Sequence, residues 1–263
     1  MRIAVGTYLF DSVRAGDEVS SGMEPLKRVA LWFTLLAAWQ AFAADQIISR
    51  PRPGGTRNAT DLFTQYDAAS FAKLPQVRAV IDPDAVNFDL LDAAVFHETN
   101  RRRQQQRLPA LKYDERARAA AQMQSRDMAR GGFVDHENSD PTRKTMNDRA
   151  RLAGLRPRAL AENVASTFGR RYKSGQPFYS REENGRKIYS SQPNGPQIPM
   201  HSYLSFAEAL VDSWMKSPGH RKNILHSEVE YLGCACDLPR NPNAMETFYC
   251  TQVFFTPLDP QLR

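Results

Sequence analysis

Cysteine is scarce in this chain. There are three among 263 residues, which excludes a small domain held together by a disulfide framework. An uninterrupted apolar run of the ~20 residues that a membrane-spanning helix needs is also missing. The nearest approach, Val29 to Phe42, is about that of a leader h-region and is broken by Thr34 and Gln40. Charge of one sign does not dominate: Lys and Arg number 35 against 29 Asp and Glu, a formal charge of +6. That modest excess favours solubility and weak attraction to anionic surfaces, and does not by itself make a nucleic-acid binder. There is no internal repeat and no Gly-x-Ser-x-Gly elbow of a serine hydrolase. With 41% hydrophobic and 24% charged residues, what remains is a foldable chain of one or two domains rather than a disordered or polytopic one.

What is there begins with a leader. Met23 offers a second start, Lys27 and Arg28 a positive n-region, Val29 to Phe42 an apolar stretch, and Ala41-Phe42-Ala43 a cleavage signal. Residues 23–43 therefore read as a secretory signal peptide cut after Ala43, and residues 1–22 as an extension upstream of the true start. A buried N-terminal helix or an uncleaved anchor is the alternative. Export would leave a secreted or periplasmic protein with no transmembrane segment and place its cysteines in an oxidising compartment.

Residues 44–87 read as a linker and N-terminal extension. Pro51, Pro53, Gly54 and Gly55 mark the linker, and residues 61–87 suggest a short docking helix. The spacing then predicts four helices: 90–106 capped by Asp89, 115–130 capped by Asp114 and stopped by Gly131-Gly132, 142–153 ending at Gly154, and 206–216 ended by Ser217-Pro218-Gly219. The last buries a stripe of Phe206, Ala209, Leu210 and Trp214. Aromatic and β-branched residues over 231–238 and 247–256, around Pro239 to Asn243, predict an antiparallel hairpin. A smaller hairpin is signalled by Asn184-Gly185 inside the polar insertion 169–204. Helices first and strands last, without regular βαβ alternation, argue for an α+β fold. The basic run Arg101 to Arg107 reads as a solvated helix end suited to the C-terminal dipole, since no aromatics accompany it.

Several short stretches stand in a telling order. They are Asn100-x-x-Arg103 with Leu108-Pro109-Ala110-Leu111, Asp127-Met128 through Gly132-Phe133-x-x-His136, Glu162-Asn163-Val164-Ala165, Trp214-Met215-x-Ser217-Pro218-Gly219-His220-Arg221-Lys222-Asn223-Ile224-Leu225, and Gly233-Cys234-Ala235 to Tyr249-x-Thr251-Gln252-Val253-Phe254. In this order residues 88–257 resemble the CAP superfamily (SCP, or pathogenesis-related-1-like, domain) in its bacterial secreted branch, followed by a tail at 258–263. The resemblance implies a three-layer α-β-α sandwich with a central antiparallel sheet and a cleft beside it.

The family often carries two histidines and two acids in that cleft. By position His136 and His220 match the histidines and Glu162 the first acid. Such a set could bind Zn²⁺ or another divalent cation if its donors converged within ~2.0–2.2 Å of the metal. It could also act as acid and base on a polarised bond, or be a satisfied hydrogen-bond network. In many eukaryotic relatives the second acid lies three residues after the helix tryptophan. Here that place is Ser217, and the nearest acid on the helix, Glu208, is a weak cleft candidate that lies nearly opposite the apolar stripe. His97 reads as an exposed residue of the first helix, His226 as a turn residue that follows the family motif, and His201 as a loop histidine or a lid.

Three classes of function follow. One is a non-enzymatic module binding an envelope component, a lipid or a protein. A second is a metal-dependent hydrolase of peptide or ester bonds using His136, Glu162 and His220. The third, a nucleic-acid binder carried by Arg101 to Arg107, is set aside because of export. The cysteines make a separate expectation. A hairpin centred near Asn243 pairs positions summing to about 486, which sets Cys236 opposite Cys250 and leaves Cys234 as a free thiol opposite Gln252. A Cys234–Cys250 bridge would need a two-residue shift of register, and three reduced thiols remain the alternative.

Overall fold

The computed structural model describes residues 48–49, 59–241 and 244–258. The leader, its cleavage site and most of the Pro/Gly-rich linker lie outside these residues. In chain order the elements are strand β1 (Ile48–Ser49), short helices α1 (Asp61–Thr64), α2 (Ala68–Phe71) and α3 (Pro75–Arg78), α4 (Phe88–Gln105), β2 (Lys112–Tyr113), α5 (Glu115–Gly131), α6 (Met146–Leu152), β3 (Pro157–Phe168), β4 (Tyr179–Glu183), β5 (Arg186–Ser190), α7 (Tyr203–Lys216), α8 (Pro218–Ile224), β6 (Tyr231–Asp237), β7 (Pro239–Arg240) and β8 (Thr247–Pro257).

The central sheet has the order β2-β6-β8-β3. β6, β8 and β3 are antiparallel, while the two-residue β2 joins β6 in parallel, a small departure from the expected all-antiparallel sheet. Alternation along the strands builds two cores. Leu232, Cys234, Cys236, Phe248, Cys250 and Phe254 point to one face, against α4 and α7. Ala235, Val253 and Phe255 point to the other, against Ala117, Ala120 and Ala121 of α5 and Ala150 of α6. The chain is thus an α+β, three-layer α-β-α sandwich.

Gly233 sits where α5 crosses β6. A Cβ there would lie 2.0 Å from the Arg118 nitrogen and 2.2 Å from the Ala117 carbonyl carbon, so only glycine lets the helix backbone close on the strand. On the opposite face, buried Asp92 of α4 accepts from the Cys236 amide at 2.8 Å and from Arg118 at 2.8 Å, tying both helices to β6.

Most boundaries agree with the sequence reading, and the differences have causes. α4 is capped by Asn87, whose side chain accepts from the Leu90 amide, and not by Asp89, which pairs with Arg118. Asp114 caps α5 as expected, accepting from the amides of Arg116 and Ala117, and Gly132 ends the helix with φ 65°. The third helix begins at Met146, because the Thr145–Asp148 capping box fixes its start. In α7 the buried stripe uses Ala207 and Val211, while Ala209 is exposed. Ser217-Pro218 does not merely stop α7. Ser217 is also the residue before α8, with Pro218 at its first position.

The extension 61–87 folds into α1 to α3 and a loop, burying Phe63, Phe71, Val77 and Ile81 against the main core. This overturns the expectation that His97 is exposed. Its ring is buried, Nε2 lies 2.8 Å from the Leu62 carbonyl oxygen, and Phe71 stacks on it at 4.1 Å. The basic run is also not wholly solvated. Arg103 is buried and donates to the carbonyls of Pro109, Ile224 and His226, while Arg101 and Arg102 pair with buried Glu98.

The insertion forms the expected hairpin β4–β5 around Asn184-Gly185, both at positive φ. In the terminal hairpin Cys236 lies opposite Cys250 and Cys234 opposite Gln252. Cys236 and Cys250 form the disulfide, and Cys234 is a buried free thiol whose pKa burial pushes up.

His201 is half-buried, with Nδ1 3.0 Å from the Ser205 hydroxyl. Burial, and secondarily Arg171, pull its pKa from 6.5 down to about 4, and burial lowers His97 as well. Both histidines therefore take up protons less readily folded than unfolded. Their contribution to stability is complete above pH 6.5 and declines as pH falls, through about 4 for His201. Urea midpoints should drop between pH 7 and pH 4.5, and His201→Gln should flatten that slope. An unchanged slope in the variant would remove His201 as a source.

Candidate functional site

The site forms where the loop after α5, the start of α6, strand β3 and helix α8 meet. The loop carrying His136 is pinned from below by Asn138, which is buried and donates to Gln124 Oε1, Asp127 Oδ2 and the Arg143 carbonyl. Gln124 in turn donates to the Asp135 carbonyl at 2.5 Å. Asp127 also holds Arg143 through two hydrogen bonds. With this loop fixed, His136 Nδ1 lies 3.0 Å from Glu162 Oε1, the ring half-exposed and the carboxylate buried.

Glu162 stands on β3, opposite Val253 of β8. Its partner of opposite charge is Arg149 of α6, whose side chain is 1% exposed. Arg149 Nη2 donates to both carboxylate oxygens, at 3.0 and 2.8 Å, and to the His136 carbonyl at 2.9 Å. Its Nη1 donates to the carbonyls of Arg143 and Lys144. The guanidinium thus neutralises Glu162 and welds the His136 loop to α6. Only its Nε, buried, has no hydrogen-bond partner among the described residues.

One residue along β3, Asn163 is fully buried and joins three elements. Its Nδ2 donates to the His220 carbonyl at 3.2 Å and to Gln252 Oε1 at 3.0 Å, and its Oδ1 accepts from Asn223 of α8 at 2.9 Å. Asn223 also donates to the Glu162 main-chain carbonyl at 3.2 Å. Gln252 continues the chain to Thr99 of α4 at 2.6 Å. Trp214 Nε1 reaches the Val164 carbonyl at 3.4 Å. The Ser217 hydroxyl is buried here without a hydrogen-bond partner among the described residues and does not cap α8.

Of the four residues singled out from sequence, His136 and Glu162 are brought into direct contact. His220 is buried on α8 and linked to them through its carbonyl and Asn163. Glu208 does not join. It is exposed on α7 and its charge acts on Arg101 instead. Among the described residues no three His, Cys, Asp or Glu side chains are grouped to hold a metal. The donor chemistry agrees: both oxygens of Glu162 already face a guanidinium, so a divalent ion there would meet a buried positive charge. The residues present do not fit Zn²⁺ at this place.

Sequence reasoning missed Arg149, which sits among other arginines of a charged helix without any distinguishing pattern. It also gave no role to Asn163 and Asn223, although both fall inside the quoted stretches. An asparagine flanked by Glu and Val-Ala in a strand is itself a signal, since a buried amide needs partners on several sides.

Comparison with known proteins accords with this architecture. The model of the CAP family, described as the cysteine-rich secretory protein family, matches residues 96–254. An uncharacterized protein, YkwD, of Bacillus subtilis (strain 168) is 27% identical over 139 residues, covering 53% of this chain and 39% of that protein. The match therefore spans well under half of that relative. Among solved structures, an extracellular protein containing an SCP domain from Bacillus anthracis is 23% identical with a TM-score of 0.44, covering 67% of this chain and 44% of the other. An outer surface protein from Borrelia burgdorferi is 13% identical with a TM-score of 0.40, covering 62% and 90%. With the family model spanning most of the sandwich, from α4 to β8, the chain belongs to the CAP, or cysteine-rich secretory protein, family.

Proposed function

We propose that this protein is a secreted or periplasmic binding module without catalytic activity, whose ligand is an envelope component, a lipid or another protein. The observation that carries this reading is Arg149. A buried guanidinium lies on the carboxylate that a metal or a general base would need, and its remaining bonds go to loop carbonyls. In this reading His136, Glu162 and His220 belong to a network that holds the loop, β3 and α8 in place. The leader pattern ahead of Ala44 and the Cys236–Cys250 disulfide support an oxidising compartment outside the cytoplasm. Among the described residues no helix is long and apolar enough to cross a membrane.

A metal-dependent hydrolase of peptide or ester bonds is the competing reading. It draws on the half-exposed His136 ring oriented by a buried carboxylate, a geometry that acid–base chemistry can use. It would require Arg149 to leave Glu162. The two readings separate in one assay, in which purified protein is incubated with isolated envelopes, with and without added Zn²⁺. Co-sedimentation without released peptide or acyl product is expected. Zn²⁺-dependent product release that His136→Ala abolishes would overturn the binding-module reading.

A further inference from the structure

Away from the His136 network, the insertion carries an aromatic ladder of its own. Phe168, the last residue of β3, meets the Tyr172 ring edge-on at 5.0 Å. Tyr172 meets Phe178 at 5.6 Å, and Phe178 meets Tyr189 of β5 at 5.9 Å. The inner end is anchored: Tyr189, Ile198 and Met245 are buried together, with Phe168 and Tyr172 packed against them. The outer end is in water. Residues 173–180 are exposed without a break, and Phe178 and Tyr179 are 47% and 45% exposed. Among the described residues they are the only exposed aromatic side chains, and they are consecutive. Isolated exposed apolar residues are ordinary, but two adjacent rings held out from a packed base have the form of a contact surface.

The charge around these rings has one sign. From Arg170 to Arg181 there are four cationic side chains and no carboxylate. Arg170 is committed to Glu246, and Arg181 to the Gly195 carbonyl and Glu183. Arg171 and Lys173, on either side of Tyr172, are exposed and make no ion pair among the described residues. The turn end of the hairpin is balanced instead, with Glu182 opposite Lys187 and Glu183 opposite Arg186. Unopposed positive charge therefore gathers at the other end, where the Tyr172–Phe178 contact brings the Arg171–Lys173 stretch to the exposed rings. The Arg171 amide donates to the Pro199 carbonyl at 2.8 Å, which fixes the backbone of that stretch.

We infer that this loop docks the protein on an anionic phospholipid surface: Phe178 and Tyr179 enter the boundary between headgroups and acyl chains, and Arg171 and Lys173 meet lipid phosphates. Aromatic rings favour that boundary, and each Lys or Arg close to an anionic leaflet adds attraction. A protein partner is disfavoured by size. A stable interface covers about 800 Å² on each side, whereas the exposed apolar surface here is two rings. Because the ladder already holds the loop, little order is lost on docking. The inference rests on the binding-module reading and narrows its ligand to a lipid surface.

The test is co-sedimentation of the purified exported chain with vesicles of phosphatidylglycerol and phosphatidylcholine, and with vesicles of phosphatidylcholine alone. The mixed vesicles should be bound about tenfold or more tightly, and the preference should shrink as salt is raised. Arg171→Gln/Lys173→Gln should weaken binding to the mixed vesicles about 10- to 30-fold, the surface attraction of two charges. Phe178→Ser/Tyr179→Ser should weaken it about tenfold and remove the part that resists salt. All four positions are exposed, and far-UV circular dichroism checks the fold of each variant. Should the ring variant lose its fold, the charge variant decides alone. Equal binding to both vesicles, no binding to the mixed ones, or unaltered binding by either folded variant overturns the docking surface. Envelopes stripped of lipid by detergent separate that failure from failure of the binding-module reading. If the chain ignores vesicles yet sediments with stripped envelopes, the docking surface falls and the binding module stands, its partner a protein or a glycan. If the chain binds mixed vesicles through these residues but releases peptide or acyl product from envelopes, the docking surface stands and the non-enzymatic reading falls.

Discussion

Replacing Arg149 with methionine should destabilise the protein by about 3–5 kcal/mol, read as a lower urea midpoint at unchanged m-value. Methionine preserves much of the side-chain volume, so the loss isolates the charge. Glu162 would be left buried beside a half-exposed imidazole, and the carbonyls of His136, Arg143 and Lys144 would lose their donor. The double variant Arg149→Met/Glu162→Leu should recover much of that loss, because removing both charges removes the desolvation penalty together with the attraction. A single variant within about 1 kcal/mol of wild type would mean that the guanidinium does not hold this corner together. The same pair bears on function. If envelope binding survives in the double variant, the network is a scaffold.

Gly233→Ala should cost about 3 kcal/mol, at the upper end of ordinary overpacking. The added methyl would meet helix backbone at 2.0 and 2.2 Å, and no rotamer change can move backbone aside. The helix must lift from the strand, opening the Ala117–Ala120–Ala121 contact with Ala235 and Val253. Gly219 supplies the control. Nothing lies within 4 Å of its added Cβ and its φ is not positive, so Gly219→Ala should be neutral or stabilising by a few tenths of a kcal/mol. Equal melting temperatures for the two variants would contradict the close approach of α5 to β6.

The terminal hairpin and its disulfide were readable because antiparallel register is arithmetic: once the turn centre is placed, each position has one partner. Helix α5 was readable because Asp114 and Gly132 mark its ends with distinct chemistry. Strand β3 was not. Pro157 to Phe168 holds only two β-branched residues, Val164 and Thr167, among Ala, Glu and Asn, and buried Glu162 and Asn163 interrupt the alternation that betrays a strand. Only tertiary partners make those polar groups acceptable in the interior. His97 failed for a related reason. Its exposure depends on α1 and α2, three-dimensional neighbours from 26 or more positions earlier in the chain. The site was half legible: motif order placed His136 and Glu162 together, but nothing local distinguishes Arg149 from the arginines around it.

Strand β3 closes one side of the sheet, with no further strand beside it among the described residues. In a twelve-residue edge strand the alternate amides and carbonyls that face away from β8 are the kind of template on which a second polypeptide adds itself, nucleating aggregates. Helix α8 works against that fate. Asn223 occupies the Glu162 carbonyl and fastens to Asn163, so the middle of the border is sealed by a side-chain amide and covered by a helix. The Ser-Pro-Gly-His-Arg-Lys-Asn stretch is thereby a guard of solubility as well as a family signature: the most recognisable part of the sequence stands between one copy of this protein and the next.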